Sequence, residues 1–269
     1  MRDDEHTLPA GTRLDATRLA ATGGVSATLV RARLAATALS GPPEGLPDDL
    51  DTAYAVQHRS ISQWPDEVAG WKVGGVPAPY VERFRQTRLA GPIFSKSIVE
   101  GKPEEPAMMP VFEGGFAAIE PEFVIRLGAE RRGDRAFIGA EIASSPIPAI
   151  NDHGPCAVVS DFGNNNGLLI GSEIHDWRGR TGPVQVVAEI DGRTVAEKTV
   201  PSIASAAQPA IEFLMDLALR KGFALPEGTL VSSGAITGVH EAGIGSTSRL
   251  DFGPLGELHL ELVAAKPVA

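Results

Sequence analysis

The sequence predicts an α+β protein in which a small helical part precedes a β-rich body. Two early segments, 25–39 and 50–64, carry apolar residues at three- and four-residue steps, which is the spacing of an amphipathic helix. After residue 65 the apolar runs become short and are separated by Gly and Pro, a pattern typical of strands joined by turns. We therefore divide the chain into an N-terminal arm and helical subdomain, 1–68, and a β-rich domain, 69–269.

Composition narrows the range of partners. The chain has 269 residues, of which 43% are hydrophobic, so it can bury a sizeable core. No run approaches the ~18 apolar residues of a membrane span, and the opening is acidic where a secretory signal is basic; we expect no membrane partner and a cytoplasmic location. The net charge of −10 argues against nucleic acid, whose phosphates are bound by clustered Lys and Arg. A small-molecule partner is the expectation that remains.

The single cysteine, Cys156, excludes an intramolecular disulfide framework and a zinc site built from several cysteines. A lone Cys is far more often a small apolar filler than a nucleophile. The six histidines lack metal-binding spacing, and neither G-x-S-x-G nor G-x-x-x-x-G-K-[ST] occurs. The commonest signals of zinc sites, hydrolases and phosphate loops are therefore missing.

The predicted elements begin with a loose arm, because residues 1 to about 23 show no periodicity. The first helix ends at the Gly- and Pro-rich segment SGPPEG, and the second is capped by an Asp at position 48, 49 or 51. The clearest hairpin spans 182–200, where two alternating strands flank Asp191-Gly192, a dipeptide suited to a tight turn.

A later helix is predicted within 205–223. Pro209 fits its first turn and Gly222 its end. Its predicted apolar stripe consists of Ile211, Leu214, Met215 and Ala218. Two closing strands follow, within 228–236 and 256–263, and the second alternates inward leucines at 258, 260 and 262 with outward polar residues.

Glu120 and Glu122 lie two positions apart in the apolar stretch AAIEPEFVIRL. In a strand they share one face, and an unpaired carboxylate in the interior costs several kcal/mol or so. A divalent cation with oxygen ligands would satisfy both charges, whereas on an exposed strand the pair would merely be solvated. Pro121 between them cannot donate a ladder hydrogen bond, which predicts a sheet edge or a bulge.

Two further segments carry candidate residues. Lys72, in AGWKVGG, is either a surface residue with a buried stem or a buried cation close to anionic groups. The segment SDFGNNNGLLIG, 160–171, is a polar turn that leads into an apolar strand. It is either an ordinary Asn/Gly loop or part of a site.

Taken in order, these motifs resemble the fumarylacetoacetate hydrolase superfamily, and within it the 2-keto-4-pentenoate hydratase and 4-oxalocrotonate decarboxylase branch. The resemblance spans about 53–262. AYAVQ and GWKVGG resemble the branch's A-Y-x-x-Q and G-[WY]-K-[IV]-G, and IEPEFVIRL resembles its E-x-E metal strand. The motif P-A-I-E is matched by SPIPAIND, and L-x-x-G-D-x-V-x-T-G is matched by LPEGTLVSSGAITG. The segment SDFGNNNGLLIG keeps the Asp and the final Gly of an A-D-N-x-S-x-x-x-x-x-L-G motif.

The resemblance implies a mixed β-roll with flanking helices, a homo-oligomer, and a Mg²⁺ or Mn²⁺ site that holds a 2-oxo acid. The implied metal ligands are Glu120, Glu122 and Asn151, with Asp152 as a further candidate. Four positions depart from the family pattern: Asn151 stands where the family has Glu, Phe162 where it has Asn, Asn164 where it has Ser, and Ser233 where it usually has Thr. The implied catalytic residues are Lys72 and Asp161, and the implied substrate-binding residues are Asn164, Ser233 and Gly234.

Three functions are consistent with this resemblance. The first is a metal-dependent hydratase that adds water to a small 2-oxo or 2-hydroxydienoic acid, with the metal ion stabilising an enolate. The second is a decarboxylase or a C–C hydrolase of an acylpyruvate, which the motifs do not separate from the first because the enolate is shared. The third is a non-catalytic relative with a degenerate metal site, which the departures at Asn151 and Phe162 favour.

Overall fold

The computed structural model describes residues 16–102 and 105–268. Two β-sheets and five α-helices confirm the predicted α+β class. The helices are α1 (Ala16–Leu34), α2 (Leu50–Ile61), α3 (Ala78–Phe84), α4 (Pro155–Ser160) and α5 (Ile203–Lys221). The strands are β1 (Val68–Gly75), β2 (Arg88–Phe94), β3 (Ile98–Glu100), β4 (Ala107–Val111), β5 (Phe116–Arg126), β6 (Arg135–Ser145), β7 (Asn165–Ile174), β8 (Val184–Ile190), β9 (Arg193–Val200), β10 (Leu230–Ser232), β11 (His240–Glu241), β12 (Thr247–Asp251) and β13 (Glu257–Ala264).

The larger sheet has the strand order β2-β1-β10-β5-β6-β7-β3, with β11 also paired to β5, and the smaller sheet has the order β4-β13-β12-β8-β9. Parallel and antiparallel pairs are mixed in both sheets. At the centre, β5 and β6 keep one antiparallel register from Phe116 opposite Ser145 to Arg126 opposite Arg135. Both strands are almost wholly buried, so they form the core on which the other elements pack.

The N-terminal helix differs from the prediction at both ends. It begins at Ala16, so the expected loose arm is wrong from residue 16 onward, and residues 1–15 lie outside the described part of the chain. It stops at Leu34 instead of Leu39, because Ala36 adopts a left-handed conformation, with φ 50°. The predicted start of α2 is confirmed: Asp49 is the N-cap and accepts a hydrogen bond from the Thr52 amide at 2.8 Å.

The predicted hairpin is confirmed by β8 and β9, which flank Asp191 and Gly192, both with positive φ as a type I′ turn requires. The three inward leucines of β13 are buried, as predicted. Each helix in the described ranges is too short or too polar to cross a lipid bilayer.

Helix α5 starts earlier than predicted. A capping box between Ser202 and Ser205 fixes its N-terminus, so Pro209 lies in the helix interior and not in the first turn. Gly222 ends the helix as predicted, with φ 75°. Met215 is wrongly placed in the apolar stripe: its side chain is 45% exposed, and Leu217 is buried instead.

The predicted edge or bulge at Pro121 is wrong, since β5 is an interior strand and pairs with β6 without a register shift. Pro121 has no backbone N–H to donate, and this absence falls on the side of β5 that does not face β6. There β10 has already ended and the chain is irregular until β11, and the Pro121 carbonyl accepts a hydrogen bond from the Ile236 amide, at 2.8 Å. The irregular segment between the two strands passes directly beside the two glutamates.

A close backbone approach joins β2 to the turn that precedes β7. A Cβ atom on Gly91 would lie 2.1 Å from the Phe162 carbonyl oxygen, which no side chain can occupy. Gly75, on the neighbouring strand β1, has no atom within 4 Å of the place where its own Cβ would lie.

We predict that Gly91→Ala lowers the free energy of unfolding by at least about 2 kcal/mol, because the backbone of β2 must move away from the turn. The matched control, Gly75→Ala, should change it by less than about 0.5 kcal/mol. Urea unfolding of both variants measures the difference, and equal stabilities would contradict the close approach.

Candidate metal centre and active-site cavity

Three carboxylates meet at the centre of the larger sheet. One oxygen from each of Glu120, Glu122 and Glu141 lies within 4.8 Å of the others, and the three residues are 5%, 0% and 1% exposed. The register explains the grouping: Glu120 on β5 is directly opposite Glu141 on β6, and Glu122 is opposite Gly139, so all three side chains share one face. Three acidic groups therefore share one space that water barely reaches.

Lys72 supplies a positive charge to this group. Its Nζ lies 3.3 Å from Oε2 of Glu141, and the residue is 4% exposed. The lysine reaches the carboxylates from β1, where it pairs with Gly91 on one side and with Ser232 on the other. Glycines leave room for its stem, since a Cβ on Gly163 would lie 3.2 Å from the Lys72 Cε.

The pKa values reflect an excess of negative charge. Burial and the neighbouring Glu141 raise the pKa of Glu120 to about 7, although Lys72 acts to lower it. Burial, together with the charges of Glu141 and Glu120, raises the pKa of Glu122 well above its usual range. For Lys72, burial acts to lower the pKa, but the three glutamates outweigh it and leave the pKa above its ordinary value.

The hydrogen bonds around the carboxylates leave one oxygen without a donor. Oε2 of Glu122 accepts from the Ser232 hydroxyl and from the Gly234 amide, the latter at 2.9 Å. Oε1 of Glu122 is buried and has no hydrogen-bond partner in the described part of the chain. Asn165 donates to Oε1 of Glu141 at 3.1 Å and so orients that carboxylate. Three carboxylates, two of them oriented by hydrogen bonds and one with an unpartnered oxygen, fit a hard divalent cation.

A cavity of about 600 Å³ reaches this group at Glu120 and Lys72. Six of the residues predicted from the sequence line it: Lys72, Glu120, Asn151, Asn164, Ser233 and Gly234. The Ser233 oxygen accepts a 3.3 Å hydrogen bond from the Phe123 amide, which leaves its own O–H to donate. Oδ1 of Asn164 is buried and has no partner among the described residues.

The predicted further metal ligands, Asn151 and Asp152, lie in exposed positions, and their role as ligands stays a prediction. Asp152 is exposed and is not a member of the group, and Asn151 is exposed at the cavity wall, 3.5 Å from the Asn164 amide nitrogen. Sequence reasoning missed Glu141. The signal that could have identified it is that Glu141 is the one charged residue in FIGAEIASS, a segment of mostly small or apolar residues.

Asp161, a predicted catalytic residue, lies in a buried ion pair with Arg33 of α1. Arg33 donates to both carboxylate oxygens, at 2.6 and 2.9 Å, and Ser145 donates to Oδ2 at 2.6 Å. Phe162 next to it packs edge-on against Trp64 and Phe94. The segment that joins Asp161 to Asn165 is thus anchored from outside the cavity, and its catalytic role stays a prediction.

This segment is conformationally strained. Phe162, Gly163 and Asn164 all have positive φ, at 56°, 66° and 56°, which is costly for the two residues that carry a Cβ. In this conformation Asn164 lines the cavity and Asn165 reaches Glu141. The Arg33–Asp161 pair supplies the contacts that hold this conformation.

Solved structures show which proteins share this architecture. A 4-oxalocrotonate decarboxylase from Pseudomonas putida G7, complexed with magnesium and adipate, matches with a TM-score of 0.73 and 16% identity over 94% of this chain and 100% of that one. The same enzyme with calcium and acetate matches with a TM-score of 0.70 and 17% identity, again over 94% and 100%. The chain has the fold of the fumarylacetoacetate hydrolase superfamily.

A fumarylpyruvate hydrolase from Pseudomonas aeruginosa, in complex with Mn²⁺ and pyruvate, shares the superfamily fold with a TM-score of 0.54 and 17% identity, over 75% of this chain and 91% of that one. No family model and no curated protein matches the sequence. The fold expected from the motif resemblance is therefore confirmed, while identities this low leave the reaction to be argued from the site.

We predict a pH-dependent loss of stability in the metal-free protein that originates at Glu120. Below pH 4.5 the Glu120 carboxyl is protonated in both the folded and unfolded states, so it does not lower the free energy of unfolding. As the pH rises towards 7, the unfolded state ionises first and the folded state loses on the order of 3 kcal/mol relative to it. Glu120→Gln removes this group.

Urea unfolding at pH 5 and pH 8 in the presence of a chelator measures the effect. The stability of Glu120→Gln relative to the wild type should rise between these two pH values, and Mn²⁺ should restore the wild type at pH 8. Parallel pH profiles for the two proteins would show that the Glu120 carboxyl is not perturbed by its neighbours.

A second prediction concerns Asp161. Asp161→Asn leaves Arg33 buried without its carboxylate, so we expect a loss of about 3–5 kcal/mol in unfolding free energy. The same substitution at exposed Asp152 serves as the control and should cost less than about 0.5 kcal/mol. An Asp161→Asn variant that keeps wild-type stability but loses turnover would instead support the catalytic assignment.

Proposed function

We propose that the protein is a divalent-metal-dependent enzyme of the fumarylacetoacetate hydrolase superfamily that acts on a small 2-oxo acid, with Mg²⁺ or Mn²⁺ held by Glu120, Glu122 and Glu141. The observation that carries the proposal is the buried carboxylate group at one end of the cavity. Glu141 takes the place that the sequence motifs suggested for Asn151.

Charge supports the metal. With all three glutamates ionised and the lysine protonated, the buried site would carry two uncompensated negative charges, so it must take up either protons or a cation. One divalent cation neutralises them. The neighbouring decarboxylase and hydrolase were solved with magnesium, calcium or manganese, which are cations of this class.

The residues around the cavity have separate roles in this proposal. The cation would act as a Lewis acid that stabilises negative charge on the 2-oxo oxygen of the substrate as an enolate forms. The Ser233 hydroxyl and the Asn164 side-chain N–H are the groups that would donate hydrogen bonds to the substrate carboxylate. Lys72, whose ammonium group contacts Glu141, carries the proton on Nζ that it would donate to the substrate.

The reaction we propose first is hydration of a 2-hydroxydienoic acid such as 2-hydroxypenta-2,4-dienoate, as the sequence motifs suggest. Decarboxylation of a related 2-oxo acid is the second candidate, favoured by the decarboxylase whose whole length aligns with this chain. Both reactions pass through the same enolate. They differ in whether a water molecule is added or a C–C bond is broken.

We predict that Glu141→Gln abolishes turnover and weakens Mn²⁺ binding by more than about 100-fold, because it removes a ligand rather than a supporting hydrogen bond. Glu122→Gln should do the same. Calorimetric titration of Mn²⁺ into the metal-free proteins measures affinity, with Glu100→Gln, an exposed glutamate on β3, as the control. Undiminished binding by Glu141→Gln would contradict the proposed ligand set.

Product analysis separates the reactions. The Mn²⁺-loaded protein is incubated with 2-hydroxypenta-2,4-dienoate and, separately, with an acylpyruvate and an unsaturated 2-oxo diacid. A 4-hydroxy-2-oxo acid from the dienoate supports the hydratase, and released CO₂ or a cleaved acylpyruvate supports the alternatives. Tight metal binding with no product from any of these substrates would favour a non-catalytic binding protein.

A further inference from the structure

Asn164 carries a buried carbonyl oxygen that has no hydrogen-bond donor. The residue is 3% exposed, and its Oδ1 has no partner among the described residues. The amide nitrogen of the same side chain lies 3.5 Å from Oδ1 of Asn151. Because nearly all buried polar groups in native proteins are paired, an unpaired acceptor on a cavity-lining residue marks the place of a water molecule or a ligand.

Both chain neighbours of Asn164 lie against the proposed metal site. A Cβ on Gly163 would lie 3.2 Å from Cε of Lys72, and Asn165 donates to Oε1 of Glu141 at 3.1 Å. Asn164 itself lines the same cavity as Lys72. Its side chain therefore lies close to the place where a 2-oxo acid bound at the metal would react.

The segment that carries Asn164 is held at both ends by one side chain. Arg33 donates to the backbone carbonyl of Asp161 at 3.1 Å and to that of Asn165 at 3.0 Å. Arg33 is itself 4% exposed. An oxygen presented from a segment fixed in this way keeps its position when a ligand binds, which is what the orientation of a reacting molecule requires.

The substrate does not supply the donor that Oδ1 of Asn164 lacks. The carboxylate and the 2-oxo oxygen of a 2-oxo acid are acceptors only, so neither can pair with another acceptor. The Lys72 ammonium group has N–H donors, but its contact is with Glu141. A water molecule supplies an O–H donor together with a nucleophilic oxygen.

We propose that Oδ1 of Asn164 binds and orients the water molecule that is added to the substrate. This inference rests on the proposed function, which places the 2-oxo acid in the cavity, and it favours hydration over decarboxylation as the reaction of that site. Asn164 stands where the family pattern has Ser, so the amide is a feature of this chain. It is a positioning residue, because a neutral amide aligns the water but does not take its proton.

The addition of water balances with the residues at the site. In 2-oxopent-3-enoate, a keto form of 2-hydroxypenta-2,4-dienoate, the water oxygen forms a bond to carbon 4, and the π electrons between carbons 3 and 4 move towards the 2-oxo oxygen as an enolate. Lys72 donates a proton to carbon 3, and the proton that the added water loses is returned to Nζ. The O–H that stays on carbon 4 keeps its hydrogen bond to Asn164.

Two reactions of the Mg²⁺-loaded protein in D₂O separate enolate formation from the addition of water. Exchange of the carbon 3 protons of 2-oxobutanoate, followed by NMR, needs the metal and Lys72 but no attack by water. Formation of 4-hydroxy-2-oxopentanoate from 2-hydroxypenta-2,4-dienoate needs all of them. The wild type should catalyse both reactions.

Asn164→Gly removes Oδ1 and keeps the backbone, because glycine readily adopts the positive φ of 56° found here. At saturating substrate it should slow hydration at least about 100-fold, as a misplaced reactant does, while proton exchange stays within about 3-fold of the wild type. Asn164→Asp keeps an acceptor oxygen in the same place and should keep the ratio of hydration to exchange within about 10-fold. Both rates are compared at saturation because the Asn164 N–H also affects KM.

Asp176→Gly is the matched control, because Asp176 also has a positive φ, 50°, but is exposed and lies outside the cavity lining. It should leave both rates unchanged. Hydration retained by Asn164→Gly would overturn the inference. A parallel loss of hydration and exchange would also overturn it, since Asn164 would then hold the substrate or its enol and not the water.

The wild type separates this inference from the proposed function. If it catalyses neither proton exchange nor hydration with Mg²⁺ bound, the proposed function fails. Exchange without hydration of the dienoate would overturn the role of Asn164 and leave the metal-dependent enolate chemistry standing.

A crystallographic measurement tests the same oxygen without turnover. Crystals of the Mn²⁺-loaded wild type should contain an ordered water about 2.7–2.8 Å from Oδ1 of Asn164, and crystals of Asn164→Gly should lack it. An Oδ1 that accepts its hydrogen bond from a protein group instead of a water molecule would count against the inference.

Discussion

Three buried acids beside one ammonium group are the constraint on which this structure depends. Glu120, Glu122 and Glu141 lie on the two most central strands, where each isolated charge would cost several kcal/mol or so. Lys72 offsets one charge, and the pKa of Glu120 rises to about 7 because burial and Glu141 disfavour its ionised form. A core built this way is stable at neutral pH only with protons or a cation added to it, and a cation would give the cavity the chemistry proposed above.

Much of the surrounding structure serves to hold these side chains in place. Arg33, from the N-terminal helix, reaches across 128 sequence positions to Asp161 and anchors the strained segment that presents Asn164 and Asn165. Gln57 of α2 donates to the carbonyl of Val159, two residues before that segment, and to the carbonyl of Ala90, next to Gly91, which packs against it. The helical part predicted for 1–68 is therefore structurally tied to the site, and we expect that removing it would disorder the Asn165 contact to Glu141.

The sequence identified some of this site and missed the rest for physical reasons. Glu120, Glu122 and Lys72 were predictable because a charged residue inside an apolar strand requires a partner. Glu141 obeys the same rule, but its proximity to Glu120 depends on the register of β5 against β6, which no local pattern reveals. The motif comparison assigned the third ligand to Asn151, in the segment that resembles P-A-I-E, and not to Glu141.

Pro121 and α5 show the same limit. Proline correctly indicated a position without a ladder donor, yet the gap lies in the neighbouring strands and not in β5. Pro209 suggested a helix start, whereas the Ser202–Ser205 capping box fixed it earlier. In both cases one local signal did not decide the structure: the pairing of the neighbouring strands set the gap at Pro121, and another local signal, the capping box, set the start of α5.

The most direct test is the anomalous scattering of manganese in crystals of the protein grown with Mn²⁺. The account predicts one strong peak about 2.0–2.6 Å from oxygens of all three glutamates. A Mn²⁺-saturated crystal with no peak there, or with its peak at Asn151 and Asp152 instead, would contradict it.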